Sequence, residues 1–264
     1  MPMFSYPFMQ NAYLVGTLIA IVAGIVGVFI VARSMSFLAH TLSEIGFAGA
    51  SFGLFMGWNP LIGMLIFSIF ASTTIGQLGI KEDRSESLIS SVSGVAIGLG
   101  IAFLSLSQKN ASAATGILFG SIFSISTSNI FEVIILAMLV LVLVMLLFRQ
   151  LRHFAFDYST AVFSLKNITF IQVAFLVIMA TTVAVSAQVV GSLLIFILMT
   201  LPASAAMRLG RTVWQMIGLS IFFAILGVWL ALVFSYWTNV PVSFYIAIIE
   251  AGIYFLSLAW TQRR

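Results

Sequence analysis

The stretch "AATGILFGSIFSIS", residues 113–126, is apolar but only fourteen residues long. A helix needs about 20 apolar residues to cross a bilayer. Longer apolar runs flank it on both sides. If it crossed, every basic loop after it would change sides, so its reading decides the fold. The rest of the chain weighs against a crossing. Nine longer runs read as spans: 11–32, 36–57, 60–79, 88–107, 130–148, 168–187, 189–207, 213–236 and 241–260. With the N-terminus outside, the inner loops hold Arg33; Lys81 and Arg84; Arg149, Arg152 and Lys166; Arg208 and Arg211; and Arg263 and Arg264. These are ten of the eleven basic residues, and only Lys109 falls outside. Cytoplasmic loops collect Lys and Arg. Residues 113–126 therefore read as a re-entrant or partial helix, buried where irregular backbone at membrane depth is tolerated.

Composition supports this reading. Of 264 residues, 62% are hydrophobic and 7% charged, against about 25% charged in a soluble domain. The runs do not alternate apolar and polar, as barrel strands must. The expected fold is all-α: a polytopic bundle of eight to nine transmembrane helices, forming one membrane domain over 1–264. No cysteine is present, so disulfides and thiolate metal sites are excluded. The net charge of +4 fits basic inner loops rather than a nucleic-acid binder. The first run lacks the basic region and cleavage site of a signal peptide and reads as a retained span. The sequence holds no Gly-x-x-x-x-Gly-Lys-Ser/Thr loop for a nucleotide. Energy for any transport must come from a partner or an ion gradient.

The second run carries the chemistry. "MSFLAHTLSEIGFAGASFG", residues 35–53, sets His40 and Glu44 four apart in an oily segment. At about 100° per residue, His40, Glu44 and Ser51 share one stripe, while Gly49, Gly53 and Gly57 share the opposite one. Glycines four apart let another helix approach closely. Ionisable residues inside a membrane face a bundle interior or a water-filled path. A histidine and a glutamate on adjacent turns can hold one divalent cation, suiting zinc, manganese or iron(II). The pair is half a site, as a permeation site should be, because ions must also leave. The bland alternative is that Glu44 only hydrogen-bonds His40 or neighbouring hydroxyls.

Here the chain resembles the membrane permease subunits of bacterial ABC importers for zinc, manganese and iron, the ABC-3 type metal permeases. Their pattern runs Arg-Arg-Met-Ser-Phe-Leu-Gly-Asp-Ala-Leu-Ser-His-Ala. Met35, Ser36, Phe37, Leu38, Leu42 and Ser43 match it. His40 stands at the family's Asp position and Glu44 at its His position, so the pair is kept in reversed order. "ILFGSIFSIS" (117–126) is similar to the family's Leu-Phe-Gly-Ser-Ile-Leu element. "FAFDYSTA" (154–161) resembles its Phe-Asp-Pro-Glu-Phe-Ala segment, with Asp157 and Ala161 matching and Tyr158, Ser159 and Leu165 departing. Gly191, Pro202 and Ala203 match its Val-Val-Gly and Leu-Pro-Ala elements.

The resemblance implies a type II ABC importer-like fold and a permease that does no bond chemistry. Its partners would be a second copy of itself, cytoplasmic ABC ATPase subunits that bind ATP, and an extracytoplasmic metal-binding protein. It implies no permanently bound cofactor; the divalent metal ion is cargo. The location would be the plasma membrane, multi-pass, with the C-terminus cytoplasmic. The hydrophilic stretch 149–167 would couple to the ATPase through Phe156, Asp157 and Ala161, with Phe154, Tyr158 and Phe163 as neighbouring aromatics. The alternative for those aromatics is a membrane-interface belt.

Glu250, mid-span in "FYIAIIEAGIYFLSLAW", reads as a further path residue beside Ser51, or as a carboxyl bonded to a neighbouring helix. Glu132 reads as solvated at the outer interface. Pro202 is expected to kink or end its helix. His153, among arginines, reads as an interface residue, and "KEDRSES" (81–87) as a solvated loop. Two rival functions remain at this stage: a proton-coupled secondary metal transporter using Glu44 and Glu250, and an intramembrane His/Glu metal hydrolase. The second is poorly supplied, with only two histidines in the chain.

Overall fold

The computed structural model describes residues 6–78, 85–107, 116–120, 122–124, 127–164, 167–192 and 194–262. Lys81, Arg84, Lys109, Leu165, Lys166, Arg263 and Arg264 lie outside the described residues. The long helices are α1 (Pro7–Ala32), α2 (Ser36–Met56), α3 (Pro60–Leu78), α4 (Ser85–Leu106) and α5 (Thr127–Phe156). After a short α6 (Tyr158–Ser164) come α7 (Ile168–Val190), α8 (Ile195–Leu209), α9 (Val213–Thr238) and α10 (Val242–Gln262). A 3₁₀ turn, Ile122–Ser124, lies between α4 and α5. Among the described residues, seven helices are long and apolar enough to cross a membrane: α1, α3, α4, α5, α7, α9 and α10. The helix α2 is also long, but its serines, glycines, His40 and Glu44 dilute its apolarity. It is sheltered instead by packing, and most of Leu38–Ser51 is buried.

The bundle is sewn by small residues. Gly49 of α2 and Gly63 of α3 meet backbone to backbone, each where an added Cβ would collide with the other's carbonyl. Close approach of this kind is how membrane helices gain dispersion contacts without a hydrophobic drive between them. Gly53 faces Asn59 and Pro60 at the top of the same seam. Gly57 does not pack at all. It ends α2 as a left-handed cap at φ 76°, where a glycine avoids the Cβ penalty. On the far side, α1 runs antiparallel to α9, with Gly24 against Ile221 and Gly16 against Val228.

The expected span over 189–207 is divided. Helix α7 stops at Val190, the chain turns at Gly191 (φ 98°), and α8 begins at Ile195. At fifteen residues α8 is about 22 Å long, short of the roughly 30 Å hydrocarbon core. The break exists because another segment crosses it. Gly120 (φ 72°) lies on Val189, Val190 and Gly191 so closely that neither glycine has room for a Cβ. The Ser192 N–H donates to the Ile117 carbonyl at 3.0 Å, which satisfies backbone freed by the break. Residues 116–120 and 122–124 thus pack against the break and α1. Ile122 meets Gly16, about 14 Å along α1 from its start.

Two other boundaries move. Helix α5 continues past the expected 148 to Phe156, because Arg149 to Phe156 contain no helix breaker. Pro202 sits inside α8, and the helix runs on to Leu209.

Candidate functional site

The polar face of α2 meets α4 and the start of α8. His40 Nε2 stands 3.4 Å from Glu44 Oε1, with the two side chains 33% and 10% exposed. Two ligand atoms about 2.1 Å from one ion, at a tetrahedral angle, are separated by about 3.4 Å. The pair therefore has the spacing of two ligands of one cation. The other carboxylate oxygen, Glu44 Oε2, accepts a hydrogen bond from the Ser93 hydroxyl of α4. The His40 ring lies 5.0 Å from the Phe196 ring in the first turn of α8. Its Nδ1 is buried without a hydrogen-bond partner. One turn along α2, the Ser43 hydroxyl donates to the Ser192 carbonyl in the α7–α8 break. The re-entrant segment, the break and the His40 helix are thus one connected structure.

Other residues singled out by sequence fall elsewhere. Ser51 is buried, and its hydroxyl donates to Phe47 O of its own helix at 2.8 Å. Glu250 is fully buried on α10 against Gly227 of α9, and neither carboxylate oxygen has a hydrogen-bond partner. It belongs to a different helix pair from His40 and Glu44. Glu132 is bonded rather than simply solvated: the Asn59 amide donates to both its oxygens, at 3.4 and 3.2 Å. Among the described residues no three His, Cys, Asp or Glu side chains converge on a common point.

The 149–167 stretch folds as the end of α5, a corner and α6. Phe156 turns inward, 6.4 Å from Phe29 of α1. Phe154 and Ala161 are buried. Arg33, just past the end of α1, lies over the Tyr158 ring at 3.8 Å and the Phe154 ring at 5.4 Å. Asp157 is exposed and caps α6. Its Oδ1 accepts from the Thr160 N–H at 3.2 Å and the Ser159 hydroxyl at 3.1 Å. These bonds, Thr160 first, with His153 nearby, hold the Asp157 carboxyl below its ordinary value. The aromatic that faces outward is Phe163, 91% exposed.

A family model described as "ABC 3 transport family" matches residues 5–261. The chain belongs to the ABC 3 transport family. Within reach of this ABC 3 chain are the manganese transport system membrane protein MntC of Listeria monocytogenes and the manganese import system permease protein ScaB of Streptococcus parasanguinis. The first is 29% identical, covering 98% of this chain and 92% of the relative. The second is 30% identical, covering 98% and 93%. Among solved structures, PsaBC from Streptococcus pneumoniae in complex with Fab superposes at TM-score 0.88, with 26% identity over 97% of this chain and 92% of that one. An inward-facing, putative metal-chelate type ABC transporter superposes at TM-score 0.69 with 15% identity, a likeness of fold alone.

Ser93, Phe196 and Ser192 are not distinguishable from the sequence. Ser93 is one of several serines in its helix, and no periodicity says which of them meets Glu44. Phe163 was visible as an aromatic beside charge, but its exposure depends on how α6 turns.

Proposed function

We propose that this ABC 3 chain is the permease subunit of an ATP-driven importer for a divalent transition metal ion. Manganese is the first candidate, with zinc and iron(II) as the others. The observation that carries this reading is the His40–Glu44 pair, an imidazole nitrogen and a carboxylate oxygen 3.4 Å apart inside a membrane bundle. Nitrogen and oxygen together suit first-row transition ions. The manganese named for MntC and ScaB supports the order of candidates.

In this reading two copies form the path, with the N-termini outside. An extracytoplasmic metal-binding protein delivers the ion. Nε2 of His40 and Oε1 of Glu44 replace part of its water shell. Two donors from one chain hold an ion loosely enough for release. Cytoplasmic ATPase subunits bind at α6 and repack the helices as they hydrolyse ATP. The outward Phe163, on the helix that Asp157 caps, supplies an aromatic anchor among polar residues, the usual make-up of an interface hot spot.

The test is manganese uptake by the complex, reconstituted in vesicles with its ATPase and metal-binding protein. Uptake should require ATP and fall to background in His40→Ala and Glu44→Gln with the complex still assembled. ATP-independent uptake driven by a proton gradient would favour the secondary transporter. Normal uptake by Glu44→Gln would remove the ligand role.

A further inference from the structure

Resting on the reading of His40 and Glu44 as ion ligands, we infer that Ser93 is a positioning residue that fixes how many oxygens Glu44 offers and so discriminates against calcium. The argument starts from the split carboxylate. Glu44 Oε1 faces His40 Nε2, while Oε2 is occupied by the Ser93 hydroxyl. A hydrogen bond that occupies one carboxylate oxygen and fixes its direction favours binding an ion through the other. Calcium takes six to eight oxygen ligands, commonly with carboxylates bound through both oxygens. Imidazole suits transition metals, whereas calcium takes hard oxygens. A site offering one nitrogen and one oxygen is therefore poor for calcium on two counts. Ser93 supplies the second.

The register that brings Ser93 to Glu44 is set by packing. Gly100 lies two turns beyond Ser93, on the same face of α4. It sits so close to Phe47 and Ala48 of α2 that an added Cβ would stand 2.5 Å from the Phe47 ring and 3.3 Å from the Ala48 Cα. That seam fixes α4 along α2, one turn beyond Glu44. Elsewhere α4 is largely exposed, through Val92, Val95, Leu99 and Ile101. The Ser93–Glu44 bond is thus a polar tie added to the close apolar seam between α4 and α2.

Releasing Oε2 would let Glu44 swing and bind through both oxygens. Outer partners of a ligand typically change metal affinity about 10–100-fold when removed. The experiment is manganese uptake by the reconstituted complex, with calcium added as competitor. In Ser93→Ala the calcium concentration for half-inhibition should fall at least about tenfold. The KM for manganese should rise, with the maximal rate little changed. Ser93→Thr keeps the hydroxyl and should restore the native ratio. Ser93→Cys loses most of the donor strength and should share the calcium sensitivity. It should also gain block by cadmium, because it places a soft sulfur beside the site in a chain with no native cysteine.

A Ser93→Ala complex with unchanged calcium competition, measured where Glu44→Gln has lost uptake, would overturn the assignment and leave the ligand pair standing. An equal loss of rate without a change in the calcium ratio would do the same, since that is what a packing residue gives. Failure of both Ser93→Ala and Ser93→Cys complexes to assemble, with Ser93→Thr normal, would also make Ser93 a packing residue and overturn it. Normal uptake by Glu44→Gln would instead strike the ligand reading beneath the inference.

Discussion

Glu44 and Glu250 are the two acidic residues buried among the described membrane helices, and they are built into opposite surroundings. Glu44 has a histidine at one oxygen and a serine hydroxyl at the other, and its neighbour His40 keeps a third of its side chain open. Glu250 has no hydrogen-bond partner at either oxygen and is sealed against Gly227. Both would be singled out by the rule that intramembrane carboxyls are functional. The difference lies in what each is given. A group meant to exchange water for an ion needs polar partners to aim it and a way in, whereas a sealed carboxyl has neither.

The widest separation between the two is expected in uptake. Glu44→Gln should reduce ATP-dependent manganese uptake to background, while Glu250→Met should leave it intact. Loss of uptake by an assembled Glu250→Met complex would break the contrast and return Glu250 to the path. Stability should move the other way. A buried polar group without a partner costs about 1–3 kcal/mol, so Glu250→Met should raise the unfolding temperature of the purified chain.

The notch itself gives a sharper version. Gly227→Ala puts a methyl group into the Glu250 carboxylate, and overpacking of that kind typically costs about 1–3 kcal/mol. Shortening the partner should relieve it. The double variant Gly227→Ala with Glu250→Ala should melt higher than Gly227→Ala alone. Additive losses in the double-mutant cycle would mean that the contact does not govern the site.

Outside the membrane the comparison extends to aromatics and to a third carboxylate. Phe156 faces Phe29, whereas Phe163 faces outward. Phe163→Ala should weaken ATPase co-purification by about tenfold or more, on the scale of a lost aromatic hot spot, with the thermal midpoint unchanged. Phe156→Ala should instead lower the midpoint. Equal docking by Phe163→Ala and wild type would remove Phe163 from the proposed contact.

The smallest effect is expected at Asp157. Its folded-state carboxyl is lowered by its bonds to Thr160 and Ser159. The cap therefore supports α6 at all pH values above the unfolded carboxyl's range. That support fades as pH falls through the lowered folded value. Amide exchange at residues 158–161 should accelerate over that acid window in the native chain. In Asp157→Asn the acid step should be absent.

Much of this molecule follows from sequence alone. The apolar runs require helices, because a backbone in hydrocarbon must satisfy its own hydrogen bonds. The length of 113–126 argued for a partial helix, and its described residues 116–120 and 122–124 lie against the α7–α8 break and Gly16 of α1. The i, i+4 spacing alone put His40 over Glu44, since both lie on one continuous helix. Gly49 was readable as a packing glycine for the same reason.

Tertiary structure decided what lies opposite each of these residues. Gly57 fitted the same glycine stripe yet became a cap, because the chain turns there toward Asn59. The run 189–207 had the length of a span, but a remote glycine, Gly120, crosses it at Gly191 and divides it. Ser93 became the partner of Glu44, and Gly227 the neighbour of Glu250, through contacts 49 and 23 residues away in the chain. Helical periodicity fixes only which residues share a face. Which face meets which is set by close packing between helices, and that depends on the shapes of all the neighbours at once.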